Sequence, residues 1–207
     1  MSRRSRRNSR FEARGRLAKR DVDQIEEIET FLIVCEGAKT EPNYFRRFRV
    51  PTKVIRVEGL GDNTISLVRR TISLRDLARD DYDQVWVVFD RDSFPKERFN
   101  NAIQLAHQEG VQVAYSNEAF ELWYLLHFHY YDSGISRQQY AAMLSGMLGY
   151  PYKKNSETIH EELLSKQDAA IRNARRLLDQ YTPPKPSDNN PSTTVHLLVQ
   201  ALRKNSR

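Results

Sequence analysis

Two short stretches hold the residues with the most chemistry in this chain: Phe31-Leu32-Ile33-Val34-Cys35-Glu36-Gly37 and Val85-Trp86-Val87-Val88-Phe89-Asp90-Arg91-Asp92. Each is an apolar, β-branched run without helical spacing that ends abruptly in carboxylates. That is the pattern of a buried parallel strand whose C-terminal end carries the chemistry. Ligands of open α/β sheets bind outside the strand ends, so Glu36, Asp90 and Asp92 are expected to converge on one crevice. Three carboxylates so placed suit a hard cation. Mg²⁺ takes oxygen ligands and is usually held by one or two carboxylates with substrate phosphates, which makes phosphoryl-group chemistry the first class to consider, with Mn²⁺ able to substitute. A lone aspartate after a strand is an ordinary turn former or helix cap. An Asp-x-Asp pair says more, because two like charges at a strand end repel unless a cation or an arginine offsets them. Arg91 points to the other side of an extended segment and cannot easily serve both.

The elements that must position these residues follow from periodicity and punctuation. Strand one is predicted over 30–36, followed by a loop through Lys39 and a helix with Thr40 as cap, Glu41 and Pro42 in its first turn and Tyr44, Phe45 and Phe48 as its apolar face. Strand two is predicted over 53–57 and a helix from Thr64, with Ile65, Leu67, Val68, Ile72, Leu74 and Leu77 making one stripe. The Asp-Arg-Asp strand is third. Pro95 opens a helix to about 108 that Gly110 closes, and strand four covers 111–115. Ser116 and Asn117 then cap a very apolar helix over 119–128. Four β–α units in succession predict an α/β fold, a Rossmannoid parallel sheet of about four strands with helices on both faces. Beyond Tyr131 no strand is expected. Helices are predicted over 136–148, 157–181 and 192–204, giving a C-terminal helical extension. The domain reading is a basic arm and lead-in over 1–29, a catalytic core over 30–131, and the extension over 132–207 packed on that core.

The chain has 207 residues, room for one well-buried domain, and a net charge of +6. That charge is local. Residues 1–20 carry nine Lys/Arg against one acid, +8 in all, so the rest sums to −2. An arginine-rich arm of this kind contacts nucleic-acid phosphates through counterion release, with Arg3, Arg4, Arg6 and Arg7 its first contacts, or serves only to keep the chain soluble. No apolar run approaches a transmembrane span and no apolar segment follows the arginines, so no membrane contact and a cytoplasmic location are expected. Cys35, the one cysteine, reads as a small buried core residue.

Among lesser candidates, Glu121 lies between Phe120 and Leu122-Trp123. A carboxylate there is costly to bury unless an arginine, a hydrogen-bond network or a metal site compensates. It shares a predicted helix face with Glu118, near the positive helix N-terminus, and fits a catalytic role or a structural one under the loop after Glu36. Lys39, on a loop entering a helix, is placed to neutralise a phosphate or simply to be solvated. Glu41 is read as stabilising its own helix start. His127 and His129 face different directions and make a poor ligand pair, and the tyrosines of Tyr130-Tyr131 and Tyr150-Pro151-Tyr152 fit base stacking or packing.

A glutamate closing strand one and Asp-x-Asp closing strand three resemble the Toprim domain of topoisomerases, primases and several nucleases. More closely, Cys35-Glu36-Gly37-Ala38-Lys39-Thr40-Glu41-Pro42-Asn43-Tyr44-Phe45, Val88-Phe89-Asp90-Arg91-Asp92, the segment 116–128 and Asn190-Pro191-Ser192-Thr193-Thr194-Val195 resemble the RloB family over about 30–204. The resemblance implies a Toprim-like, Mg²⁺-dependent protein of restriction-linked and abortive-infection loci, encoded beside an ABC/SMC-type ATPase. Glu36 would bind metal or act as general acid/base, and Asp90 and Asp92 would bind metal. The chain has no Gly-x-x-x-x-Gly-Lys-[Ser/Thr] loop, so any ATP use falls to the partner. The reading is a Mg²⁺-dependent nuclease acting on DNA or RNA in anti-phage defence. Its rivals are a non-catalytic, nucleic-acid-binding adaptor of the ATPase, with carboxylates held by arginine or a structural ion, and a haloacid-dehalogenase-like phosphatase. In that phosphatase fold the aspartates close the first strand rather than the third.

Overall fold

Strands form where the apolar runs fall: β1 (Phe31–Cys35), β2 (Thr52–Arg56), β3 (Gln84–Asp90) and β4 (Gln112–Asn117), all parallel. The computed structural model describes residues 28–37, 39–56, 64–78, 81–91 and 95–206, with backbone alone over 52–56. The helices follow as α1 (Thr40–Phe45), α2 (Thr64–Leu77), α3 (Lys96–Gln108), α4 (Glu121–Leu125), α5 (Arg137–Leu148), α6 (Ile159–Leu163), α7 (Gln167–Asp179) and α8 (Val195–Asn205).

Alternation along the strands sorts the core into two layers. Phe31, Ile33 and Cys35 of β1 join Trp86 and Val88 of β3 and Ala114 of β4 on one face. Leu32, Val34, Val85, Val87, Phe89, Val113 and Tyr115 take the other. The second face is covered by α2 and α3 through Leu67, Val68, Phe99, Ala102 and Ala106. The first is covered by all the remaining helices, with Tyr44, Phe45, Trp123, Tyr140, Leu144, Leu163, Leu177 and Leu198 among the buried side chains. A sheet buried on both faces needs unbroken apolar strands, which explains the apolar runs of β1 and β3. Gly110, at φ 70°, turns the chain from α3 into β4.

The chain beyond residue 131 differs from the expected all-helical extension in two places. Ser192 and Thr193 form a fifth strand, β5, pairing antiparallel with Asn117 and Ser116, so the sheet order is β2-β1-β3-β4-β5. The last helix therefore begins at Val195 rather than at 192. The helix expected over 157–181 is interrupted by a 3₁₀ turn, Leu164–Lys166, between α6 and α7. Ile159, Leu163, Ala170, Ala174 and Leu177 keep one buried stripe across the interruption, and that stripe is all a periodicity reading detects. Since β5 joins the sheet and α5 to α8 share the first-face core, residues on either side of 131 build one core. Among the described residues no helix is long and apolar enough to cross a membrane.

Candidate active site

The chain leaves β1 to build β2 on one side and returns to build β3 on the other, so the strand order reverses between β1 and β3. In open α/β sheets the crevice at such a reversal, outside the C-terminal strand ends, is where ligands bind. Glu36 and Asp90 stand there. The Glu36 amide donates to the Val88 carbonyl at 2.9 Å, continuing the ladder one residue past β1. The Asp90 amide in turn donates to Glu36 Oε2 at 3.4 Å. The Glu36 carboxylate thus reaches the backbone of Asp90 across the ends of the two strands, and the Asp90 side chain is 13% exposed.

Arg137, the first residue of α5, reaches back to this edge. Its Nη2 lies 3.4 Å from Asp90 Oδ2 and donates to the Glu118 carbonyl at 3.2 Å, while its amide donates to Glu118 Oε2 at 3.2 Å. Asn190 Nδ2 donates to Glu118 Oε1 at 3.2 Å. Beside Arg137 opens a cavity of about 420 Å³, bordered by Arg91, Lys96, Asn117, Glu118 and Asp188 among others. Arg137 could not be found by sequence spacing, because it meets Asp90 only through tertiary packing.

Asp92 and the arm arginines Arg3, Arg4, Arg6 and Arg7 lie outside the described residues. Among the described residues no group of three or more histidine, cysteine, aspartate or glutamate side chains is arranged to hold a metal ion. What the crevice offers among the described residues is Glu36, whose carboxylate reaches the Asp90 amide, and Asp90 itself; carboxylate oxygens are the donor type that Mg²⁺ takes.

Glu121 belongs to a second polar cluster under the loop after Glu36. It is buried, and its Oε1 accepts from the Tyr152 hydroxyl at 3.4 Å. Burial and the Glu121 carboxylate push that hydroxyl up, so it stays protonated and can donate. Glu41 faces the same cluster instead of only favouring its own helix start. Burial pushes its carboxyl up; a backbone amide bond opposes this, the Glu121 carboxylate adds to the rise, and Lys154 and Arg137 pull it down. The glycine before it is explained by contact, since a Cβ on Gly37 would overlap the Glu41 carboxylate. Thr40 Oγ1 donates to the Lys154 carbonyl at 2.6 Å, tying the start of α1 to the chain after α5. Because α4 begins at Glu121, Glu118 precedes the helix, and the expected shared face of the two is replaced by divergent contacts.

Lys39 is exposed immediately before α1, where its carbonyl accepts from the Asn43 amide at 2.8 Å. Cys35 is fully buried; burial and then the Glu41 carboxylate push its thiol well up, which removes it as a nucleophile. His127 is buried, donates through Nδ1 to the Trp123 carbonyl at 2.8 Å and is pushed down by burial to about 4, whereas His129 is exposed. Tyr130 packs under Arg176, whose guanidinium carbon lies 4.0 Å from the ring centre.

An open parallel α/β sheet with a glutamate and an aspartate at its switch point defines the class. A family model described as RloB-like protein matches residues 31–202, and the chain belongs to the RloB-like family. Comparisons with curated proteins and with solved structures give no match.

Proposed function

We propose that this chain is a Mg²⁺-dependent nuclease that hydrolyses phosphodiester bonds of DNA or RNA. The observation that carries the reading is the adjacency of Glu36 and Asp90 at the C-terminal ends of β1 and β3, joined by the Asp90 amide at 3.4 Å. A divalent ion held there would orient the scissile phosphate and stabilise charge on its oxygens. Glu36, Asp90 and Asp92 are the carboxylates that would hold it. Where it does not bind the ion, Glu36 would take the proton of the attacking water at a carboxylate oxygen, and the departing sugar oxygen would be protonated from solvent water. Arg137, bonded to Asp90 and Glu118, holds positive charge beside the phosphate. Glu121, buried against Tyr152 and near Glu41, supports the loop that presents Glu36. Work in an anti-phage setting beside an ABC/SMC-type ATPase is the biological part of the proposal, supported by the family's motifs and by the lack of a phosphate loop in this sequence.

One observation favours the adaptor reading. Arg137 at 3.4 Å from Asp90 is the kind of arginine that can neutralise a strand-end carboxylate without any metal. Incubating the purified chain with end-labelled single-stranded and duplex DNA and RNA, in Mg²⁺ and in EDTA, separates the two. Fragments that appear only with Mg²⁺ support the nuclease. Nucleic-acid binding without cleavage under either condition supports the adaptor.

A further inference from the structure

The cavity beside Arg137 carries three cations whose side chains come from three different elements. Arg91 follows β3 immediately after Asp90, and its amide donates to the Ser116 carbonyl at 2.7 Å, so its backbone is fixed to β4. Its guanidinium carbon lies 5.9 Å from the centre of the Phe99 ring, which restrains the side chain further. Lys96 opens α3 and pairs across the cavity with Asp188. Arg137 opens α5 and touches Asp90 from the same cavity. At about 420 Å³ the space is in the range of small-ligand sites and suits one nucleotide unit rather than a duplex. A nucleotide inside a stacked duplex reaches such a side pocket only by being extruded, whereas a single strand presents its units directly.

We propose that this cavity is a nucleotide subsite for a single strand, in which Arg91, Lys96 and Arg137 hold the phosphate next to the one at Glu36 and Asp90. The subsite rests on the nuclease reading for its neighbour, but its binding is independent of metal. Arginine suits the phosphate oxygens through paired N–H donors, and lysine acts as a point charge. Asp188 competes with the phosphate for Lys96. Removing each member of that exposed pair should therefore shift affinity in opposite directions, which a purely structural ion pair would not do.

The test uses the full chain in EDTA, with short single-stranded DNA and RNA oligonucleotides followed by fluorescence anisotropy and 5′-AMP as competitor. Lys96 and Asp188 are both largely exposed, so Lys96→Gln and Asp188→Asn leave the fold intact, as circular dichroism will verify. The expected result is that Lys96→Gln weakens oligonucleotide binding about three- to tenfold, Asp188→Asn tightens it, and AMP displaces the strand. Unchanged affinity for both nucleic acids in both variants overturns the subsite. So does AMP that binds with the expected response to the substitutions but fails to displace the strand, which makes the cavity a free-nucleotide site. Cleavage of the same oligonucleotides in Mg²⁺ is scored separately. The expected binding pattern without cleavage keeps the subsite and ends the nuclease reading, while cleavage with unaltered binding does the reverse.

Discussion

Gly37 is set by its neighbour rather than by backbone conformation: the volume a side chain would need is taken by the end of the buried Glu41 side chain, which must shift to admit a Cβ. Gly37→Ala should therefore lower the unfolding free energy by about 1–3 kcal/mol, the usual cost of overpacking a filled site. Combining it with Glu41→Ala should give a cost smaller than the sum of the two single changes by about 0.5 kcal/mol or more, read from urea denaturation. Strict additivity would mean that the two residues do not contact. At this scale the sequence was most legible where charge interrupts an apolar run, as at Glu36 and Asp90. Arg137 and Lys96 gave no such signal, because an arginine or lysine at the start of a helix looks the same whether it faces water or a carboxylate from another segment. Glu41 follows a local rule as a first-turn acid, and only packing reveals that it is also buried within reach of the Glu121 charge.

The strands and the helices α2, α3 and α5 form close to where periodicity and capping residues place them, since each owes its position to local chemistry. The edge strand β5 does not. Two residues have no detectable alternation, and Ser192 and Thr193 become a strand by antiparallel pairing with Asn117 and Ser116, to which the Thr193 side chain adds. Thr193 Oγ1 donates to the Tyr115 carbonyl at 2.9 Å, lies 3.0 Å from Ser116 Oγ and accepts the Val195 amide at 3.2 Å, all in a fully buried setting. Thr193→Val keeps the volume but leaves these polar groups short of a partner. It should destabilise the protein by about 1–3 kcal/mol with native circular dichroism retained, measured by denaturant titration. A change within about 0.5 kcal/mol, the range of ordinary surface substitutions, would show that β5 is held by packing alone.

For the molecule as a whole, acid sensitivity follows from three buried histidines, His127, His160 and His196, each held below the usual imidazole range by burial. Burial holds His127 and His196 neutral and lowers each to about 4. Below about 6.5 the unfolded chain takes up protons that the folded one refuses, so stability is full above that pH and is lost as pH falls toward 4, on the order of 3 kcal/mol for each of these two histidines. Glu41 works in the opposite sense, because its raised carboxyl makes ionisation a cost at neutral pH that is relieved on acidification. With three histidines against one raised carboxyl among the described residues, thermal melts should show Tm dropping between about pH 6.5 and 4, and His127→Gln should shrink that drop. A flat profile would mean that the imidazoles are solvated. The central claim concerns the two strand-end carboxylates acting together, and Asp90→Asn probes it with the least change of shape. Its single-turnover cleavage rate on labelled single-stranded nucleic acid in Mg²⁺, set against the wild type, should fall by about a hundredfold or more, near 3 kcal/mol of transition-state stabilisation, with an unaltered melting curve. Cleavage at the wild-type rate by a folded Asp90→Asn protein would contradict the account.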